Sequence, residues 1–109
     1  MKENLKVVHK AIEDKFGKDT VILDIQALTP MADYFVITSG QNPNQMHAIA
    51  DSVDTELAKL GVKLSHKEDE GVNWILMDFG DIIVHIFDVE SREFYDLERL
   101  WADAKKVQL

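Results

Sequence analysis

Apolar positions near the beginning of the chain recur with the spacing of an amphipathic helix. Lys and Glu stand between four apolar residues that repeat every three or four places: Leu5, Val8, Ile12 and Phe16. Such a repeat places the apolar side chains on one helical face, and Gly17 follows where helices commonly end. The pattern predicts a first helix over residues 3–16.

A second apolar stripe occupies the middle of the chain. Its members are Met46, Ile49, Ala50, Val53, Leu57 and Leu60. Asn42 is a favoured N-cap residue, and Pro43 suits the first helical position, where the missing N–H costs no hydrogen bond. These residues predict a second helix that begins after Asn42 and ends at Gly61.

Five β-branched or apolar runs have the length and composition of strands. They are Val21–Leu28, Tyr34–Thr38, Val62–Ser65, Trp74–Phe79 and Ile82–Phe87. Thr29-Pro30 ends the first run, because proline cannot donate to a sheet ladder. The second run is almost continuously apolar, which is typical of a strand buried on both faces. The polar stretch His66–Val72 is predicted to be a loop.

The last two runs form a predicted hairpin. Gly80-Asp81 between them is a two-residue connection that suits a type II′ turn with glycine first. Because side chains alternate along a strand, the first strand of the hairpin has two faces: Trp74, Leu76 and Asp78 on one, Ile75, Met77 and Phe79 on the other. If the second of these faces covers the core, Trp74 lies on the outside near Asp78.

A last helix completes the predicted fold. Ser91 can cap a helix that extends through Trp101. Four of its residues are expected on one side: Phe94, Leu97, Leu100 and Trp101. The resulting order, α-β-β-α-β-β-β-α, favours an α+β fold (mixed α/β) with a mixed sheet of about five strands packed with helices. A chain of 109 residues is expected to form one domain over residues 1–109.

The negative charge of the chain is concentrated in one segment. The sequence has 12 Lys and Arg against 20 Asp and Glu, a net charge of −8. From Glu68 to Glu98, hereafter the acidic segment, ten acidic residues accompany one base, Arg92, while the other 78 residues have 11 bases and 10 acids. This asymmetry suits either a solvated acidic face or a surface for a basic partner. Specific binding of nucleic acid is not expected.

Composition excludes several classes of protein. The chain has no Cys, which excludes disulfides, thiolate zinc sites and a Cys nucleophile. No apolar stretch approaches the ~20 residues of a membrane span, and the charged N-terminus lacks the apolar core of a secretory signal. A cytoplasmic protein without a membrane partner is therefore expected.

Three groups of polar residues are candidates for chemistry, and each has a simpler structural explanation. Asp78 and Asp81 flank the hairpin turn and could hold a divalent cation or act as an acid–base pair, but turns favour Asp for local backbone hydrogen bonds. Ser39-Gly40 precedes a helix, where an anion could bind, yet it lacks the glycines and lysine of a phosphate loop. Three histidines could be metal ligands: His47, His66 and His85. No two of them have the i, i+4 spacing of a helical zinc site. No metal site is predicted.

Aromatic residues in the acidic segment are candidates for a protein interface. Trp, Tyr and Arg dominate the energetics of such interfaces, and Trp74 shares its predicted strand face with Asp78. Tyr95 and Glu98 lie three residues apart on the predicted last helix and therefore share a surface. Trp74 can either be exposed to a partner or pack beneath a helix, and the pattern does not distinguish the two.

Three blocks of the sequence together resemble the Iojap family, the ribosomal silencing factors (RsfS). The first is Asp33-Tyr-Phe-Val-Ile-Thr-Ser-Gly40. The second begins at Trp74 with the pattern Trp-x3-Asp-x-Gly-Asp-x3-His, and the third begins at Arg92 with Arg-x2-Tyr-x-Leu-Glu-x-Leu-Trp. Their combination is specific, and the resemblance extends from the first helix to Trp101.

The resemblance implies a mixed sheet packed with helices, similar to the nucleotidyltransferase fold. Active enzymes of that fold have a Gly-Ser pair followed by an Asp-x-Asp metal site. This chain has Ser39-Gly40 instead, and no Asp-x-Asp follows residues 46–60. Because the groups needed for two-metal phosphoryl chemistry are missing, the protein is not expected to be an enzyme or to need a metal or cofactor.

The function implied by the resemblance is binding to the large ribosomal subunit through its protein fourteen. The bound factor blocks joining of the small subunit and represses translation under nutrient limitation. Eight residues carried over by motif are the candidate contacts: Trp74, Asp78, Gly80, Asp81, His85, Arg92, Tyr95 and Glu98. A large-subunit assembly factor and a degenerate nucleotidyltransferase-like enzyme stay open as alternatives. The apolar last helix makes a homodimer a further candidate assembly.

Overall fold

A six-stranded mixed sheet lies at the centre of the fold in the computed structural model, which describes residues 2–69 and 73–109. The strands are β1 (Lys18–Asp24), β2 (Tyr34–Gly40), β3 (His66–Glu68), β4 (Trp74–Asp78), β5 (Ile82–Asp88) and β6 (Lys105–Lys106). Their order across the sheet is β3-β4-β5-β2-β1-β6. The central neighbours β2 and β5 are parallel, and the other neighbours are antiparallel. The predicted α+β class with a mixed sheet is confirmed.

Two helices cover one face of this sheet. α1 (Lys2–Glu13) and α2 (Pro43–Ala58) pack against inward side chains of the strands, such as Val36 and Met77. The predicted cap of α2 is confirmed, because Asn42 Oδ1 accepts a hydrogen bond from Gln45 N–H (2.8 Å). None of the helices in the described part of the chain is both long and apolar enough to cross a bilayer.

α1 ends three residues earlier than predicted. Phe16 has a positive φ of 64° and a side chain that is 79% exposed, so it does not continue the apolar face. Gly17 N–H donates instead to the carbonyl of Ile12 (3.0 Å). A Cβ at Gly17 would collide with the Ile12 side chain, so glycine is required where the chain turns from α1 into β1.

Two short helices cover the opposite face of the sheet. α3 (Val89–Tyr95) and α4 (Leu97–Leu100) are separated by Asp96, whose φ of 47° is left-handed. The prediction of one continuous helix is therefore wrong. Asp tolerates this backbone conformation better than most residues. The break allows Leu97 and Trp101 to pack against the sheet.

The start of α3 and the outward face of the segment also differ from the prediction. Asp88 is the N-cap of α3, because its Oδ1 accepts a hydrogen bond from Ser91 N–H (2.7 Å). Ser91 therefore lies inside the helix. Phe94 and Leu100 are exposed and do not share the buried face of Leu97 and Trp101, because the turn at Asp96 changes the helical phase between them.

The third strand is displaced along the chain. The predicted strand Val62–Ser65 is not formed. Val62 N–H instead donates to the carbonyl of Leu57 (3.0 Å), so Val62 belongs to the turn that ends α2. Pairing with β4 starts at Ser65, whose N–H donates to the carbonyl of Asp78 (2.8 Å). β3 consequently lies inside the predicted loop His66–Val72, of which residues 70–72 lie outside the described residues.

The end of the first strand and the presence of the last strand also differ from the prediction. β1 ends at Asp24 rather than Leu28, because Ile25 N–H donates to Asp33 (2.9 Å) and the chain then turns. β6 is a sixth strand that the hydrophobic pattern does not mark. It contains two exposed lysines, Lys105 and Lys106, which pair with the end of β1.

Candidate interaction surface

The β4–β5 hairpin closes through the predicted two-residue turn. Phe79 N–H donates to the carbonyl of Ile82 (2.9 Å), and Gly80 has a φ of +93°. A positive φ at the first central residue alone agrees with the type II′ turn. Asp78 Oδ1 accepts a hydrogen bond from Gly80 N–H (2.8 Å), which is the local backbone bond expected of Asp in a turn. Asp78 and Gly80 therefore shape this turn.

Asp81 connects the turn to the neighbouring strand through its backbone. Its carbonyl accepts hydrogen bonds from the N–H groups of Asp33 (2.9 Å) and Tyr34 (3.0 Å) at the start of β2. The Asp81 side chain is exposed. In the part of the chain that the structure describes, no three His, Asp or Glu side chains are placed to hold a metal ion.

Four aromatic rings pack together on the α3 side of the sheet, where β4 begins and β5 ends. We refer to them as the aromatic cluster: Trp74, His85, Phe87 and Tyr95. The ring centroid of Trp74 lies 4.8 Å from that of Phe87 and 4.8 Å from that of Tyr95. Trp74 is half-buried. It therefore packs partly beneath α3 and still presents part of its surface to solvent. The sequence left open whether Trp74 is exposed or packs beneath a helix, and each alternative describes part of its surface.

His85 is the buried member of the aromatic cluster. It is 4% exposed, and its Nδ1 accepts a hydrogen bond from Trp74 Nε1–H (3.3 Å). Its Nε2 is buried without a hydrogen-bond partner among residues 2–69 and 73–109. Burial lowers the pKa of His85 from 6.5 to about 4, because the imidazolium would lose its hydration. His85 therefore supports the cluster from below as a neutral ring.

His47 and His66, the other two candidate metal ligands of the sequence, pair with separate carboxylates. His47 Nε2 lies 2.9 Å from Asp69 Oδ2, and His47 Nδ1 lies 2.8 Å from the carbonyl of Pro43. The backbone bond to Pro43 and then the bond to Asp69 raise the pKa of His47 above its ordinary value of 6.5. His66 Nε2 lies 3.7 Å from Glu68. Each of these two imidazoles therefore has a carboxylate neighbour within the chain.

Arg92 on α3 directs its guanidinium into the protein. Its Nε donates to Glu98 Oε1 (3.0 Å). Its Nη1 donates to Ser39 Oγ (2.9 Å) and to the carbonyl of Lys18 (3.1 Å), and its Nη2 donates to the carbonyl of Asp19 (2.6 Å). The side chain of Arg92 is only 13% exposed. The Arg92–Glu98 pair thus joins α3 and α4 to the start of β1 and the end of β2.

The Ser39-Gly40 pair is part of this packed region. Ser39 is 4% exposed, and its hydroxyl is the acceptor for Arg92. A Cβ at Gly40 would lie 2.8 Å from Met46 Cγ, so glycine allows α2 to approach the end of β2 closely. Ser39 and Gly40 therefore take part in packing α3 and α2 against the end of β2.

The eight motif residues lie in three groups. The groups are Trp74, His85 and Tyr95 in the aromatic cluster, Asp78, Gly80 and Asp81 at the turn, and the pair Arg92 and Glu98. Trp74 and Asp78 are on the same face of β4, but four residues separate them by roughly 13 Å along an extended strand. The structure therefore does not gather all eight into one patch.

Phe94 and Leu100, which the sequence placed on the same helical side as Leu97 and Trp101, are surface residues. Phe94 is 81% exposed and packs edge-on against Tyr95 with ring centroids 5.1 Å apart, and Leu100 is 75% exposed. Together with Tyr95 they line a groove bordered by Glu93, Asp96 and Arg99. The left-handed turn at Asp96 creates this groove, and the helical periodicity gives no signal for it.

Comparisons with known proteins agree on one family. The family model described as "RsfS: Ribosomal silencing factor during starvation" matches residues 1–109. "Ribosomal silencing factor RsfS" of Bacillus subtilis is 35% identical over 109 residues, which cover 99% of this chain and 92% of that one. "Protein Iojap, chloroplastic" of Zea mays is 29% identical over 92% of this chain and 44% of its own length. The crystal structure of a protein from Chromobacterium violaceum superposes with a TM-score of 0.90 at 35% identity, and the match covers 94% of this chain and 86% of that one.

Proposed function

The chain belongs to the RsfS family of ribosomal silencing factors, and we propose that it represses translation by occupying a protein surface of the large ribosomal subunit. The proposed contact is protein fourteen of that subunit, at the face that meets the small subunit. In the cytoplasm, the bound chain blocks subunit joining sterically when nutrients are scarce. This mechanism uses no catalytic residue, metal or cofactor.

The observation that carries the proposal is an exposed apolar and aromatic surface bordered by acidic side chains. Phe94, Tyr95 and Leu100 are all exposed, and Tyr95 continues into the half-buried Trp74. Glu90 and Glu93 are exposed on the same helix as Tyr95. Apolar anchors ringed by polar residues are typical of protein interfaces. The acidic border favours a basic partner such as a ribosomal protein.

The eight motif residues take different parts in the proposed contact. We assign direct contact to the side chains that reach solvent, Trp74, Tyr95 and Asp81, and we add Phe94 and Leu100 to them. Asp78 and Gly80 form the turn at the far end of β4 and fix the shape of the surface there. His85 lies beneath the surface and supports Trp74.

The charge of the chain favours a protein partner over ribosomal RNA. A net charge of −8 repels the phosphate backbone, which supplies most of the affinity of nucleic-acid binding proteins. Of the exposed apolar and aromatic residues, Phe94 and Tyr95 lie within the acidic segment, and Leu100 follows its end. We therefore propose contact with a basic ribosomal protein and no direct specificity for nucleic acid.

Sedimentation with purified ribosomal subunits tests the proposed function. The chain is expected to sediment with free large subunits, to be absent from joined ribosomes, and to reduce the fraction of joined ribosomes. Sedimentation with joined ribosomes would contradict a steric block. Calorimetry with nucleoside triphosphates and magnesium tests the enzyme alternative, for which binding heat is expected, whereas the proposed mechanism gives none.

The same exposed surface makes a homodimer a second proposed assembly. Phe94 and Leu100 leave an apolar patch that a second copy can cover, because exposed apolar patches commonly mark association sites. Such a dimer would compete with the ribosomal partner for this surface. Light scattering at high micromolar concentration tests it, and a monomeric mass contradicts it.

A further inference from the structure

The segment that presents the exposed surface consists of very short helices. The α3–α4 segment, Val89–Leu100, contains a seven-residue helix, the left-handed Asp96 and a four-residue helix. Helices of this length do not persist alone in water. The orientation of Phe94, Tyr95 and Leu100 therefore depends on contacts between the segment and the sheet.

Arg92 makes polar contacts on both sides of this junction. Its acceptors at the sheet are the carbonyls of Lys18 and Asp19 and the hydroxyl of Ser39, and its acceptor on α4 is Glu98. The guanidinium is a planar fork with fixed donor directions, so it constrains orientation as well as distance. These four hydrogen bonds therefore hold α3 and α4 at one orientation relative to the sheet.

Two strained residues lie at the contacts of Arg92. Asp19, whose carbonyl accepts from Nη2, has a φ of 51°, and Asp96, whose N–H donates to the carbonyl of Arg92, has a φ of 47°. Left-handed backbone at non-glycine residues persists where the surrounding contacts over-determine it. The bond from Arg92 Nε to Glu98 spans the turn at Asp96, and the bond from Nη2 reaches Asp19, so these side-chain contacts are part of what maintains the turn at Asp96 and the outward position of Leu100.

We propose that Arg92, with Glu98 as its acceptor, is a positioning residue that holds the α3–α4 segment and so presents Phe94, Tyr95 and Leu100 to the partner. This inference rests on the proposed function, but it removes Arg92 and Glu98 from the contact list. Arg92 is nearly buried, and four of its five guanidinium N–H groups already have acceptors within the chain, so it has little capacity to bind a second protein.

Removal of Arg92 changes the affinity for the partner in opposite directions, depending on whether Arg92 acts by positioning the segment or through its charge. Arg92→Gln takes one positive charge from a surface that is proposed to meet a basic partner, so electrostatics alone predicts equal or tighter binding. Loss of the hydrogen bonds of a buried guanidinium predicts weaker binding, because the presenting segment loses its fixed orientation. The two effects act in opposite directions.

Arg99→Gln is the matched control for this comparison. Arg99 lies on α4 beside the groove, is exposed, and forms no ion pair with the residues that the structure describes. The dissociation constant for purified protein fourteen is expected to rise about tenfold or more in Arg92→Gln and to stay equal or fall in Arg99→Gln. Equal or tighter binding by both variants overturns the proposal.

Glu98 offers a second comparison that is independent of charge. Glu98→Gln and Glu98→Ala remove the same negative charge, but only the glutamine keeps an oxygen that can accept from Arg92 Nε. Positioning predicts tighter partner binding by Glu98→Gln than by Glu98→Ala. Equal binding by the two variants contradicts a positioning role for Glu98.

Hydrogen exchange in the free protein tests the positioning role of Arg92 without the partner. It therefore distinguishes a wrong role for Arg92 from a wrong proposed function. Amides of residues 89–101 are expected to exchange faster in Arg92→Gln than in the parent, while amides of α2 keep their protection. If the parent chain does not bind protein fourteen, the proposed function fails, but exchange still tests the Arg92 contacts. Unchanged exchange over residues 89–101 overturns the inference.

Discussion

Trp74 donates its indole N–H to Nδ1 of His85 across the β4–β5 ladder, with 3.3 Å between the two nitrogens. The bond requires an unprotonated Nδ1, so it exists only while His85 is neutral. His85 is 4% exposed, and burial favours the same neutral form. The orientation of Trp74 at the proposed interface is therefore linked to the protonation state of a buried histidine.

This link predicts a loss of stability in mild acid. The pKa of His85 is lowered to about 4 in the folded chain from 6.5, so between these pH values the unfolded chain binds more protons than the folded chain. The contribution of His85 to stability is complete above pH 6.5 and is lost as the pH falls toward 4. The shift corresponds to about 3 kcal/mol in the free energy of unfolding. Urea unfolding at pH 7 and at pH 4.5 measures the greater part of this loss.

His85→Gln is the control for the acid effect. The amide does not titrate, so the free energy of unfolding of this variant should change less between pH 7 and pH 4.5 than that of the parent. Carboxylates contribute the same background to both proteins, and the comparison removes it. Equal pH dependence in the two proteins would contradict the assignment to His85.

The sequence predicts those parts of the fold that repeat regularly. The stripes of α1 and α2, apart from their last members Phe16 and Leu60, follow from periodicity and are confirmed, as are the β4–β5 hairpin and the two faces of β4. The left-handed turn at Asp96 was not predictable in this way, because it interrupts a pattern that is otherwise helical. β6 was not predictable either, since two exposed lysines carry no hydrophobic signal.

The candidate surface was therefore predicted only in part. Trp74 and Tyr95 are found together, as an interface in the acidic segment requires. His85 is buried and Arg92 is largely buried because of tertiary contacts that sequence spacing does not encode. These contacts are with Phe35 for His85 and with Ser39 for Arg92. Phe94 and Leu100 became surface residues only because Asp96 changes the direction of the chain.

Phe94→Ala is expected to weaken binding to protein fourteen without reducing thermal stability. Phe94 is 81% exposed, so its removal leaves little cavity in the folded chain. If the ring is an interface anchor, its loss costs on the order of 2 kcal/mol of binding free energy. Calorimetric titration of the partner and a melting curve measure the two quantities on the same sample.

Phe16→Ala is the matched control for that variant. Phe16 is 79% exposed, but it follows α1, on the opposite side of the sheet. It should leave the binding free energy unchanged. An equal loss of affinity in both variants would indicate a general effect of exposed phenylalanine rather than contact at the α3–α4 segment.

Glu93→Lys is expected to slow association with the partner. Glu93 is exposed beside Phe94 and forms no ion pair among the described residues, whereas Glu98 is occupied by Arg92. Acidic side chains accelerate encounter with a basic surface, and salt screens this effect over ~10 Å at 0.1 M. Association rates measured at low and high salt should therefore differ less in Glu93→Lys than in the parent.

Asp51→Lys changes the net charge by the same amount at a remote site. Asp51 is exposed on α2, which covers the opposite face of the sheet. Local steering predicts a smaller effect on the association rate than in Glu93→Lys. Equal slowing by both variants would mean that net charge alone controls association, and the acidic segment would then be only a solvated face.

The proposed mechanism also fixes the stoichiometry of inhibition. A steric block needs no turnover, so one chain should silence one large subunit, and tight binding should make inhibition saturate at about equal amounts of the two. In a purified subunit-joining assay, the fraction of joined ribosomes should fall linearly with added chain until this point and then remain constant. Nucleoside triphosphates and magnesium, beyond the magnesium that the subunits themselves require, should not change the end point. Inhibition that is complete far below equal amounts would require each chain to act on many subunits, which a steric block cannot do, and it would favour the enzyme alternative.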